Sequence, residues 1–154
     1  MTTGTRDSIR KIFLFAHPHA SEIDAAMLLG CPVQQLRREV AEGLIVAIST
    51  ADGVRIPRSE MMAAALTRWS RGEIEEALGK DGGLVLPEAI RLTELRARVP
   101  RYQREMLAFL ARRDGTTVDD VLSRELEGIA SAHSEELTTV IPGFAGALNW
   151  PDLN

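Results

Sequence analysis

The sequence predicts a mainly α protein with short β elements, built in two parts. Two short amphipathic stretches, residues 23–28 and 33–42, flank Gly30-Cys31-Pro32, and two β-prone runs joined at Asp52-Gly53 follow them. Further on, Leu95, Ala97 and Val99 alternate with Arg96 and Arg98 before Pro100, the period of a half-buried strand, and helical spacing begins at once. A lone strand has unpaired N–H and C=O groups on both edges. No strong strand of matching length lies nearby, so the simplest partner is the same strand of a second copy about a two-fold axis.

The chain has 154 residues, enough for one or two domains, with an ordinary apolar share of 45%. The single cysteine, Cys31, excludes an intrachain disulfide and fits a reducing cytoplasm. The one apolar run near the N-terminus, residues 12–16, is too short for a signal-peptide core, and no run is long enough for a membrane span. A net charge of −4 argues against a general nucleic-acid binder. The charge is uneven, however. Six Arg (96, 98, 101, 104, 112, 113) and one acid, Glu105, lie between Arg96 and Arg113. The acids gather at Glu73, Glu75 and Glu76 and again from Asp119 to Glu136.

Residues 1–10 are polar and expected to fray, and residues 11–16 suit a short strand. His17-Pro18-His19 reads as a turn. His17 and His19 with Cys31 raise a metal site, but no fourth ligand stands at useful spacing, so none is expected. Ser21 is a good N-cap, with Asp24 three places on. Ile23, Ala26, Met27 and Leu28 then carry a short helix. In the next helix Val33, Leu36 and Val40 face inward, and Gln34, Gln35, Arg37 and Arg38 face out; Gly43 ends it. Residues 44–49 are expected as a strand and 54–56 as its return, with a helix over 57–69. Residues 72–78 suit an acidic helix. Gly79-Lys80-Asp81-Gly82-Gly83 is the best linker, and 84–92 could be a helical turn opened by Pro87 or an extended lead into the strand.

Pro100 suits the first turn of a helix carrying Met106, Leu107, Leu110 and Ala111, which Gly115 stops. Thr117 opens the next helix with Asp120 as a variant capping box, and Val118, Val121, Leu122, Leu126 and Ile129 form its apolar face. Residues 131–139 suit a helix broken at Ile141-Pro142-Gly143-Phe144. The apolar tail, with Phe144, Leu148, Trp150 and Leu153, must either fold back on its own protein or dock a partner, with Phe144 and Trp150 as anchors. The expected boundaries are therefore 11–78, a linker 79–92, 93–139, and a tail 140–154.

Two family resemblances fit these residues. Residues 21–58 resemble the winged helix-turn-helix of the MerR and excisionase families in Ser21 to Gly30, Leu36-Arg37-Arg38, Glu42-Gly43-Leu44-Ile45 and Gly53 to Arg58. It departs from them at Cys31-Pro32-Val33, where a small polar cap is usual, and at Asp52 on the wing tip. The resemblance implies a second helix in the major groove, with Gln34, Gln35, Arg37 and Arg38 reading bases, and Arg55 and Arg58 holding phosphates. Residues 95–130 resemble the ribbon-helix-helix family, including its antitoxins. That resemblance implies an intermolecular two-stranded β-ribbon in the major groove, with Arg96 and Arg98 toward base edges and a phosphate at the helix opened by Thr117. It implies a dimer core of Leu95, Ala97, Val99, Leu107, Leu110, Val121, Leu122 and Leu126. Gln103 departs from the family's apolar residue, and Asp119 and Asp120 repel a phosphate at Thr117.

The expected function is that of a cytoplasmic, homodimeric, sequence-specific DNA-binding regulator, a repressor of its own operon. The alternative is an antitoxin that covers a toxin protein with its C-terminal region. No nucleophile–base set, phosphate loop or paired carboxylates point to an enzyme, and no cofactor is implied.

Overall fold

The computed structural model describes residues 1–14 and 17–151. It is mainly helical with one small antiparallel sheet. The chain divides into two units, residues 1–87 with 150–154, and residues 88–149. Among the described residues, no helix is long and apolar enough to cross a membrane.

The first unit opens with α1 (Thr3–Leu14), where a frayed end and a strand were expected. Ile9, Ile12 and Phe13 lie at helical spacing and are all buried, and that face overrides the β-like look of the apolar run. Phe15 and Ala16, the end of the expected strand, lie outside the described residues. Arg58 caps this helix: Nε donates to Ile12 O at 3.0 Å and Nη2 donates to Phe13 O. Arg10 does the same for a later helix, donating to Ala77 O and Leu78 O at 3.2 and 3.0 Å. Both guanidinium groups satisfy carbonyls that a helix end leaves without partners.

The expected turn at His19 is instead β1 (His19–Ser21). Then come α2 (Glu22–Leu28) and α3 (Val33–Ala41). The hairpin is β2 (Ile48–Thr50) and β3 (Gly53–Pro57), and β3 is the middle strand, in the order β1-β3-β2. Residues 44–47 do not join the sheet as expected. After Gly43, at φ 74°, Leu44 N and Ile45 N turn back to Glu39 O, and Val46 N donates to the Glu60 carboxylate at 2.8 Å. With those donors taken, only Ile48 onward is left for the ladder. The hairpin closes with Thr50 facing Gly53, whose φ of 106° glycine accepts readily.

The helices α4 (Arg58–Arg68) and α5 (Arg71–Leu78) complete the core with Met61, Ala65, Ile74 and Leu78. A capping box between Ser70 and Glu73 starts α5. The glycine-rich segment expected as a linker coils into a 3₁₀ turn (Gly79–Asp81) and α6 (Gly82–Val85), with Leu86 buried. Trp150 belongs to this unit and stacks on Phe13, the ring centroids 6.1 Å apart.

The second unit begins with a 3₁₀ turn (Glu88–Ile90). Leu92 to Pro100 has no regular structure and is exposed throughout. The alternation at Leu95, Ala97 and Val99 therefore builds no strand, because no other strand among the described residues satisfies its edges. Next are α7 (Arg101–Asp114) and α8 (Val118–Ala132), joined through Gly115 at φ 65° and a capping box between Thr117 and Asp120. They pack on each other through buried Ala111 and Val121, with Leu107, Leu110 and Leu122 half-buried. Finally α9 (Ser134–Val140) and α10 (Phe144–Leu148) follow, and α10 packs on α9 and on the Glu88–Ile90 turn.

Candidate nucleic-acid interface

The pair α2 and α3 is held from three sides. Ser21 Oγ accepts from Asp24 N at 3.1 Å and donates to the Asp24 carboxylate at 2.6 Å, which fixes the start of α2. Gly30, at φ 67°, turns the chain, and Pro32 opens α3 with no side-chain cap, as the sequence suggested. Leu36 is fully buried and seats α3 on the unit. Glu39 then ties α3 to α4: it accepts from Gln35 Nε2 at 3.0 Å and forms an ion pair with Arg68. Burial pushes the Glu39 carboxyl up, but the bonds from Gln35 and Arg68 and the Arg68 charge outweigh this and hold it below its ordinary value.

The four expected base readers do not have equal freedom. All four are exposed on α3. Arg37, however, forks onto the Glu22 carboxylate, with Nε at 3.2 and 3.3 Å and Nη2 at 3.0 Å. This hydrogen bonding and the Glu22 charge raise the Arg37 pKa. Arg37 thus braces α3 against α2, and Gln35 is occupied by Glu39. Gln34 and Arg38 carry no side-chain bond among the described residues and stand free in solvent.

On the sheet, Arg55 faces Ser21 on one side and Ile48 on the other. It is half-exposed and has no carboxylate partner among the described residues. Arg58, expected beside it as a phosphate ligand, spends its Nε and Nη2 on the end of α1. Val46, Ile48 and Val54 are exposed around the hairpin, with Asp52 at its tip, so little positive charge stands there.

In the second unit Arg96 pairs with Glu94 at 3.0 Å, Arg101 with Glu105 at 2.7 Å, and Arg113 and Arg124 both with Asp114, at 2.6 and 3.0 Å. Hydrogen bonds from Arg113 and Arg124 hold the Asp114 carboxyl below its ordinary value. Arg98, Arg104 and Arg112 have no such partner among the described residues. The Thr117 hydroxyl is committed to its cap: it accepts from Asp120 N at 3.1 Å and donates to the carboxylate at 2.6 Å. Of the expected dimer core, Leu95, Val99 and Leu126 are 68%, 48% and 44% exposed, and Ala97 is exposed as well. Tyr102, Met106, Phe109 and Ile129 extend this apolar surface. Phe144 and Trp150 are both half-buried.

The braces were the part that sequence reasoning missed. The signal for Arg58 was weak, since its partners are carbonyls about four dozen residues earlier. Among the described residues, no group of three or more His, Cys, Asp or Glu is placed to hold a metal. No protein-family model matches the chain, and neither a curated protein nor a solved structure matches it.

Proposed function

We propose that the chain is a sequence-specific DNA-binding protein acting as a homodimeric transcriptional regulator, with the first unit as a winged helix-turn-helix and the second as a ribbon-helix-helix. One observation carries this reading. A short helix, α3, is pinned by Leu36, Glu39 and Arg37, yet keeps Gln34 and Arg38 free on its outer face. A rigid helix with free Gln and Arg is what reading base edges in a major groove requires, since each can bond a base in bidentate fashion. Arg55 on the hairpin then supplies a phosphate contact that positions without specifying. The dimer reading is supported by the second unit, where residues 93–99 pair with no strand among the described residues and an exposed apolar face matches what an identical copy would offer.

The test is selection of bound duplexes from a random pool, followed by affinity measurement on the selected sequence. Arg38→Ala should cost roughly 1–3 kcal/mol and relax preference at one position per half-site. Failure to enrich any sequence would end the reading.

The same exposed face, with Tyr102, Met106 and Phe109, favours one second reading, an antitoxin that covers a toxin protein. A toxic neighbouring gene product that copurifies with the chain and is silenced by it separates the two.

A further inference from the structure

We propose that a cleft in the first unit, lined by α1, β1, α2, β3 and α4, binds a small organic anion with an apolar body, such as an aromatic carboxylate. The cleft has a volume of about 380 Å³, within the range of small-molecule sites. Its apolar wall is Ile12, Leu28 and Met61. Lys11 and Arg55 line the same space, and neither has a carboxylate partner among the described residues. Arg58 adds a third positive charge while it caps α1. Among the described residues the one carboxylate on the lining, Asp24, is already bonded by the Ser21 hydroxyl at 2.6 Å. His17 and His19 complete the rim with imidazole nitrogens.

Apolar wall and surplus positive charge select one chemical class. A neutral apolar molecule would leave the cations without a partner. An inorganic anion, or a phosphate of the DNA backbone, would leave the apolar part of the wall, half-buried Leu28 above all, in contact with water. A carboxylate on a flat apolar body satisfies both, with the charged end at Lys11 and Arg55. Binding itself does not depend on the DNA-binding reading. Competition between this ligand and DNA for Arg55 does.

The full chain, labelled at Ile, Leu and Met methyls, is titrated with benzoate and, separately, with benzyl alcohol. Saturable shifts are expected at the Ile12, Leu28 and Met61 methyls, with benzoate binding much more tightly than the alcohol. Lys11→Gln and Arg55→Gln should each weaken benzoate about fivefold. Lys80→Gln, on an exposed cation outside the cleft, should leave it unchanged. The proposal is overturned if those methyls show no saturable shift, if the alcohol binds as well as benzoate, or if both cleft variants bind like the wild type. A selected duplex that shifts these methyls while benzoate does not would assign the cleft to DNA and also overturn it.

Discussion

Replacing Arg68 by Met tests how α3 is held. The substitution keeps most of the apolar stem and removes the charge that faces Glu39. Both side chains are only 18% exposed, so water replaces little of what is lost. Glu39 would keep one bond, from Gln35. Losing a charged hydrogen-bond partner at a largely covered site costs about 1–2 kcal/mol, after discounting for the solvent that does reach the pair. In a unit of this size that lowers the melting temperature by roughly 5–15 °C. The pH dependence gives a second reading of the same term. Glu39 is held below its ordinary value in the folded chain, so its pairing stabilises fully above the ordinary carboxylate range. The stabilisation is lost as pH falls through the lowered folded value. The gap between wild type and Arg68→Met should therefore be wide at neutral pH and narrow in acid, below the ordinary carboxylate range. Adding Glu39→Gln to Arg68→Met should recover part of the loss, because no charge is then left unpaired. Thermal melts followed by circular dichroism at the two pH values check this. Equal melting temperatures at neutral pH, or a gap that persists in acid, would refute the reasoning.

Three further outcomes follow from the same geometry. Val99→Asp should cost the single chain little, since Val99 is 48% exposed, but should abolish the proposed dimer by burying a carboxylate in the ribbon; sedimentation in which the variant stays dimeric would contradict the pairing. Glu22→Gln should release Arg37 and remove a negative charge near the proposed groove, tightening binding to the selected duplex by a few-fold; weaker binding in a fluorescence titration would mean that the brace itself is what DNA needs. Trp150→Ala should destabilise the first unit by about 1–2 kcal/mol through loss of its stack on Phe13; an unchanged denaturation midpoint would show that the ring contact contributes nothing.

Local signals in the sequence were reliable where the chain satisfies itself. Ser21 and Thr117 cap the helices that their side chains announce, and Gly115 ends α7 in the left-handed conformation that its position suggests. The Ser70–Glu73 capping box, not among the expected caps, starts α5 at Arg71, one residue before the expected helix. Ile9, Ile12 and Phe13 carried the helical period of α1, but the apolar run 12–16, which includes two of them, imitates a strand. What could not be read was set by distant partners. The strand β1 exists because His19, Ala20 and Ser21 meet Pro57, Ile56 and Arg55, and three residues alone hold no such pattern. Residues 44–46 lost their place in the sheet to Glu39 and Glu60. Arg37 and Arg58 looked like free cations, and only folding brings Glu22 and the α1 carbonyls to them.

That distinction between paired and free arginines yields a measurement that separates the two proposed DNA-reading surfaces. A cation already paired with a carboxylate adds less by meeting a phosphate, because it must first give up its partner, at a cost of up to about 1 kcal/mol for an exposed pair. On α3 and the hairpin, Arg38 and Arg55 are free of carboxylates, whereas Arg37 and Arg58 are committed. Around residues 96–113, Arg98, Arg104 and Arg112 are free, whereas Arg96, Arg101 and Arg113 are paired. Each cation that neutralises a phosphate contributes about −0.9 to the slope of log K against log salt. If α3 and the hairpin alone engage DNA, Arg55 is the phosphate ligand and a dimer should show a slope of roughly −1.8. If the three free arginines of the second unit join, the slope should steepen to roughly −7.2. Arg98→Ala would then flatten it by nearly two in the dimer, while Arg96→Ala would change it little. A titration on the selected duplex from low to moderate salt reads these slopes directly. A slope near zero would mean that neither set of arginines meets a phosphate backbone, and the DNA-binding proposal would fall with it.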